Sequence, residues 1–330
     1  MDGMSAHAAA SYIYSVLLRC LGQTRQATPN DREKTMADIQ LRFHFDMLAL
    51  SAPLDAALQR QGFDAKDSVE MLCLTEDEAV EEALRLESLA GPQCLVTPTL
   101  GVTEARLAHQ RLEDHAKEVV DACMAMVRKF KPQHTIAEIG TTGLPIDPNS
   151  KSSLVANRDQ YSTAVRLFDD YDVDAFLLND LYSTHDIRCA LMGARRVSDK
   201  PIFASVCITK EGILAGRNES IEEALGLMAE YEASVAGIHV NADLQDTCTL
   251  VRRIAQVTDL PILVQLDVKP EQSRLPRHTH EEPFWNADTM VEAALQLRAA
   301  GAQFIRATGE PTASYTGALA ATCMGLPCIR

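Results

Sequence analysis

With 330 residues, 46% of them hydrophobic and 23% charged, the chain has ample core for one large α/β barrel or two ordinary domains. A net charge of −15 without a Lys/Arg cluster excludes a nucleic-acid surface. No apolar run reaches the roughly 20 residues that span a bilayer, and nine cysteines without a CxxC or regular spacing read as reduced, mostly buried thiols of a cytoplasmic protein.

Residues 1–40 read as an N-terminal extension, flexible or partly helical, ahead of a single domain at 41–330. Its apolar part, Ala8 to Leu21, lacks a basic leader and carries Ser and Tyr, so it does not fit a targeting segment. A polar connector follows from Gly22 to Lys34. Met47 to Leu50 is the first strand, and Leu54 to Arg60 a short helix ending at Gly62. Thr75-Glu-Asp-Glu78 has the spacing of a capping box ahead of a helix that stops at Gly91-Pro92. Then come the strand Cys94 to Val96, the helix His115 to Phe130 and the strand Thr135 to Ile139. A Pro/Asn/Ser loop precedes the helix Asp159 to Tyr171.

The segment Asp174 to Ser205 is the clearest unit: apolar strand Ala175 to Leu178, polar turn, helix from Ile187, Pro201, strand Ile202 to Val206. The helix Ser220 to Tyr231, the strand Ser234 to His239, the helix Leu244 to Val257 and the strand Pro261 to Leu266 repeat it. The chain closes with the helix Ala287 to Ala300, the strand Ala302 to Ile305 and the helix Thr312 to Met324. Eight strands alternating with helices, and no GxGxxG after the first, predict a (β/α)8 TIM barrel whose chemistry lies at the strands' C-terminal ends.

Several of those strand ends carry a resemblance. Thr97-Pro-Thr-Leu-Gly101, Ile139-Gly-Thr-Thr-Gly143, Asp174 to Asn179, Gly212 to Leu225, Val235 to Ile238 and Gly301 to Ile305 resemble, in order and spacing, the homocysteine S-methyltransferase family. This is the homocysteine-binding domain of methionine synthases and betaine–homocysteine methyltransferases. The resemblance implies a TIM barrel that transfers a methyl group to a thiol amino acid. It also implies zinc held by one cysteine after strand six and two after strand eight, which delivers the thiolate.

Here those positions read Val240 and Arg306-Ala-Thr-Gly309, so the expectation is a divergent methyltransferase-like protein without the three-cysteine zinc and without another cofactor. Its substrate would be a small amino-acid-like or thiol molecule. A corrinoid protein or a small methyl donor is the partner the resemblance leaves open. The alternative reading is a non-catalytic barrel, a small-molecule sensor or partner subunit that has kept the shape and lost the reaction.

The candidate substrate-binding residues are Thr97, Thr99, Asn179, Asp180, Asp267 and Arg306, with His239 and Asp180 as catalytic candidates. Asn179 and Asp180 either meet a ligand amine or cap the following helix. His239 and Val240 must face opposite ways if the strand persists. Arg306 either binds a carboxylate or phosphate, or pairs with Asp267 or Glu310. His278 and His280, in the loop after strand seven, offer an alternative metal site against a reading as solvated loop. Cys94, Cys189 and Cys207 read as core.

Overall fold

In the computed structural model, which describes residues 39–269 and 287–329, eight parallel strands close into a ring in sequence order. They are β1 (Leu48–Leu50), β2 (Cys94–Val96), β3 (His134–Ile139), β4 (Ala175–Leu181), β5 (Ile202–Ile208), β6 (Val235–Val240), β7 (Ile262–Val268) and β8 (Phe304–Gly309). The ring closes where Leu48, Ala49 and Leu50 of β1 pair with Phe304, Ile305 and Arg306 of β8. The expected TIM barrel is therefore the fold. The extension assigned to residues 1–40 lies almost wholly outside the described residues, as do His278 and His280.

The helices are α1 (Asp55–Gln61), α2 (Val69–Thr75), α3 (Asp77–Leu89), α4 (Glu104–Leu107), α5 (Ala116–Lys129), α6 (Lys151–Arg166), α7 (Thr184–Arg195), α8 (Ile221–Glu230), α9 (Leu244–Ala255), α10 (Ala287–Ala300) and α11 (Ala313–Cys323). Four differ from the sequence expectation. Thr75 ends α2 instead of opening a capping box, and α3 starts behind Glu76 with no side-chain cap. Neither α2 nor the single turn α4 is expected from the sequence. The helix α6 begins eight residues before Asp159, capped by Ser150, whose hydroxyl accepts from Ser153 N–H. Ser152, Ser153 and Asn157 give that first stretch the composition of a loop. A true capping box stands at α8, where Ser220 and Glu223 each bond the other's backbone N–H.

Alternation along each strand separates two apolar layers. Side chains such as Val206, Ile238, Val240, Val264, Leu266 and Ala307 face outward and pack under the helices. The inward set begins at the N-terminal end of the ring with Leu48, Leu50, Cys94, Ile136, Ala175, Leu177, Phe203, Val235, Leu263 and Phe304. Phe43 closes that end, its ring edge-on to Phe203 at 6.0 Å and to Phe304 at 5.8 Å. No helix among the described residues is long and apolar enough to cross a membrane.

Candidate functional site

Above this apolar plug the inward side chains turn polar. The middle layer is Glu138, Asn179, Ser205, Gln265 and Arg306, all buried. Arg306 is only 1% exposed, yet its charge is fully met. Nη1 and Nη2 donate to the two oxygens of Glu138 at 2.5 and 3.1 Å, Nε donates to the Ser51 carbonyl at 2.9 Å, and Nη1 also reaches Gln265 Oε1 at 3.3 Å. This is the planar fork-to-fork geometry that makes arginine suited to a carboxylate. Asn179 Nδ2 donates to Glu138 Oε1 at 2.7 Å, and Gln265 Nε2 donates to Asn179 Oδ1 and Ser205 Oγ, each at 2.7 Å. Room for Ser205 comes from Gly237 in β6, where a Cβ would lie 2.7 Å from the Ser205 Cβ.

The ion pair expected between Arg306 and Asp267 or Glu310 is thus corrected. Glu138, a strand-three residue across the barrel, takes the guanidinium, while Asp267 faces Lys269 Nζ at 3.5 Å. Glu138 was missed because nothing local links positions 138 and 306; only ring closure brings them together. Arg306 lies in the middle of β8, not at its end, so it forms the floor of the mouth.

Thr97 and Thr99 lie at the β2 end with their hydroxyls 2.6 Å apart. Thr97 Oγ1 accepts from Glu138 N–H and Thr99 Oγ1 donates to the Glu138 carbonyl, at 3.0 and 2.7 Å. They pin β2 to β3 around Glu138, and Thr97 also lines the mouth cavity.

Asn179 and Asp180 do not cap the next helix. Ser183 does, accepting from Asp186 N–H. Both residues instead stay in β4 at a bulge, where pairing with β5 slips between Leu178 and Leu181 and Asp180 takes φ +56°. An Asn-Asp dipeptide tolerates this better than most L-residues. The bulge turns Asn179 into the buried middle layer and Asp180 up to the rim.

The upper layer gathers Asp180, Cys207 of β5 and His239 of β6. His239 Nδ1 lies 3.2 Å from Asp180 Oδ1, Cys207 Sγ is 3.4 Å from the same oxygen, and sulfur and ring nitrogen are 3.8 Å apart. On the far side of the ring, His239 Nε2 is 3.3 Å from Thr308 Oγ1, whose hydroxyl donates to the Leu266 carbonyl at 3.2 Å. As alternation required, His239 faces the mouth and Val240 the helix layer. Burial pushes Asp180 up, but the His239 bond and charge, with the Cys207 bond and Arg306 charge, outweigh it and hold the carboxyl below its ordinary value. Burial, then the Asp180 charge, push the Cys207 thiol well up. Cys207, a core residue by sequence, is brought into the site by the register Cys207↔His239 next to the β4 bulge.

These layers floor a cavity of about 390 Å³, within the range of small-molecule sites. Its walls include Asp55, Asp67, Glu70, Arg106, Asp180, His239, Arg306 and Thr308, but not Thr99 or Asp267. The Arg106 side chain of α4 forms no hydrogen bond or ion pair among the described residues, so its guanidinium is available to an anion. It stands over Gly140, where a Cβ would come within 2.9 Å of Nη1.

Glu70 is buried beside it and accepts from Gly101 N–H. Burial raises its pKa against the opposing Gly101 bond and Arg106 charge. A carboxyl raised in the fold binds its proton more tightly when native. Its stabilisation is present below its ordinary value of 4.5 and is lost as pH climbs through the folded value. Glu70→Gln keeps the acceptor for Gly101, so urea midpoints measured from pH 4 to 8 are expected to decline less in the variant. Parallel curves for the two proteins would refute the assignment.

The described residues form a parallel TIM barrel with a polar cavity at the strands' C-terminal ends, the face that carries the chemistry of TIM-barrel enzymes. The family model for homocysteine S-methyltransferase matches residues 48–308, and the chain belongs to that family. Among solved structures, the homocysteine methyltransferase MmuM from Escherichia coli is similar in fold in its metallated form, with TM-score 0.68 at 18% identity over 84% of this chain and 96% of that one. Its oxidized form gives TM-score 0.67 at 19% identity over the same shares. No curated protein matches the chain at a significant level.

The metal set implied by the resemblance, one cysteine after strand six and two after strand eight, does not fit the described residues. Val240 packs outward, Arg306 is committed to Glu138, and Thr308 bonds His239. Of the eight described cysteines only Cys207 lies at the mouth; Cys94 is in the barrel's lower plug, Cys73, Cys123, Cys189, Cys248 and Cys323 are in the helix layer, and Cys328 follows the last helix, its backbone N–H donating to the Phe45 carbonyl ahead of β1.

Proposed function

We propose that the chain transfers a methyl group to a homocysteine-like thiol amino acid bound in the mouth cavity, through a site that does not use three cysteines. Family membership supplies the reaction class. The observation that carries the reading is the charge layout of the cavity. A guanidinium without a side-chain partner, Arg106, shares the walls with the acidic groups Asp55, Asp67 and Glu70, and Asp180 and His239 line the same cavity. A zwitterionic amino acid needs both signs: Arg106 takes the carboxylate and the acidic wall the ammonium. The sulfur is then directed to the Asp180–Cys207–His239 rim. There its proton passes to water in the open cavity, the sulfur lone pair forms the new bond to the donor's methyl carbon, and the donor departs with the electron pair of its broken bond to that methyl group.

The test is a transfer assay on the full chain with homocysteine. S-methylmethionine, S-adenosylmethionine, betaine and methyltetrahydrofolate are tried in turn as donors, and methionine is detected by mass spectrometry. Methionine formed at a rate above the enzyme-free control supports the reading. No product with any of these donors, together with no thermal shift by homocysteine, would refute it and favour the non-catalytic barrel.

A further inference from the structure

We propose that Asp180, Cys207 and His239 form a three-ligand site for a borderline divalent transition ion of the zinc type, open on the cavity side. Three neighbouring strands, β4, β5 and β6, each place one donor atom at a single point, and the three atoms lie within 4.8 Å of one another. Their spacing is that of a coordination shell. Tetrahedral bonding at about 2.0 Å to oxygen, 2.05 Å to nitrogen and 2.3 Å to sulfur sets ligand atoms apart by roughly 3.3 Å (O to N), 3.5 Å (O to S) and 3.6 Å (N to S). The observed separations are 3.2, 3.4 and 3.8 Å.

The hydrogen-bond pattern around His239 points the same way, independently. The single hydrogen of Thr308 is used on the Leu266 carbonyl at 3.2 Å, so its oxygen accepts from His239 Nε2–H. In neutral imidazole this leaves a lone pair on Nδ1, aimed at the Asp180 carboxylate oxygen 3.2 Å away. The Cys207 S–H can serve only one of the two. Two lone pairs facing each other inside a partly buried pocket require a positive charge between them, from a proton or a metal ion. Only a metal ion takes all three donors at once, with Thr308 as the partner that fixes the ring. The strained backbone at Asp180, φ +56° within a strand, is what brings the oxygen into range.

The mixed sulfur, nitrogen and oxygen set selects a zinc-type ion over magnesium or calcium, which prefer all-oxygen shells. Asp180 and His239 border the cavity, so the fourth position faces it, as in sites that keep one place for a reacting ligand. The site stands on this geometry alone. That its fourth ligand is the substrate sulfur, held as thiolate, rests on the function proposed above.

The test uses the full chain, stripped with a chelator and titrated with Co²⁺ or Zn²⁺. One equivalent is expected to bind, with a thiolate-to-cobalt charge-transfer band. Cys207→Ser and His239→Ala, each checked for native circular dichroism, should weaken binding by about tenfold or more. No metal bound overturns the inference and leaves His239 as no more than a hydrogen-bond partner of Asp180; binding that survives both substitutions overturns it too. If homocysteine then perturbs the cobalt spectrum, the site and its role both hold. Metal bound with a spectrum indifferent to homocysteine upholds the site and counts against the thiol-substrate reading.

Discussion

Replacing Arg306 with alanine is expected to destabilise the fold by roughly 3–5 kcal/mol, because it leaves the Glu138 carboxylate buried without its counter-charge. Glu138 is only 4% exposed and would keep just the Asn179 side-chain bond. Its backbone contacts with Thr97 and Thr99 do not neutralise charge. The Ser51 carbonyl and Gln265 Oε1 lose a donor in the same step. The double variant Glu138→Gln with Arg306→Met should recover most of the loss. It removes both charges, fills the guanidinium's volume and keeps an acceptor for Asn179. Urea denaturation with matched slopes is the measurement. A single-variant cost below about 1 kcal/mol, the worth of an exposed pair, would mean that the floor is hydrated and the buried network is not what closes it.

Arg106→Gln is the second large effect. A charge-assisted bond to a carboxylate is worth about 1.5–3 kcal/mol, which corresponds to a roughly 10- to 150-fold weaker hold on the amino acid. The loss should appear in KM for the thiol substrate, or in its dissociation constant by calorimetry. The turnover rate at saturation should change little, since the contact is made equally in the ground and transition states. An unchanged KM would remove Arg106 from the site. A fall in turnover alone would place it at the reacting atoms instead of the carboxylate. Arg106 was not singled out in the sequence because α4 is a single turn, and only its approach to Gly140 puts it on the cavity wall.

The strands shared one systematic error, and it has a physical cause. Apolar runs mark only the lower part of these strands, so the sequence boundaries of β4, β5, β7 and β8 fall two to four residues short, at Leu178, Val206, Leu266 and Ile305. The missing residues, among them Asn179, Asp180, Cys207, Asp267, Arg306 and Thr308, are the site and its neighbours. A barrel lined with polar groups at one end must break the hydrophobic run there while the backbone ladder continues. The strands' polar ends therefore read as loops.

Local pattern determined the order of the strands, the closed parallel class of the fold and the family, since apolar runs, helical spacing and strand-end segments are properties of neighbouring residues. It also placed Asp180, His239 and Arg306 near the mouth. Tertiary structure alone decided which groups meet: Arg306 with Glu138, and Asp180 with Cys207 and His239. Those partners lie 168 residues apart in the first case and 59 in the closest approach of the second. No periodicity within one strand reports on them. The shear of the ring, the bulge at Asp180 and the register between β5 and β6 set which side chains share a layer, and these exist only once the barrel closes.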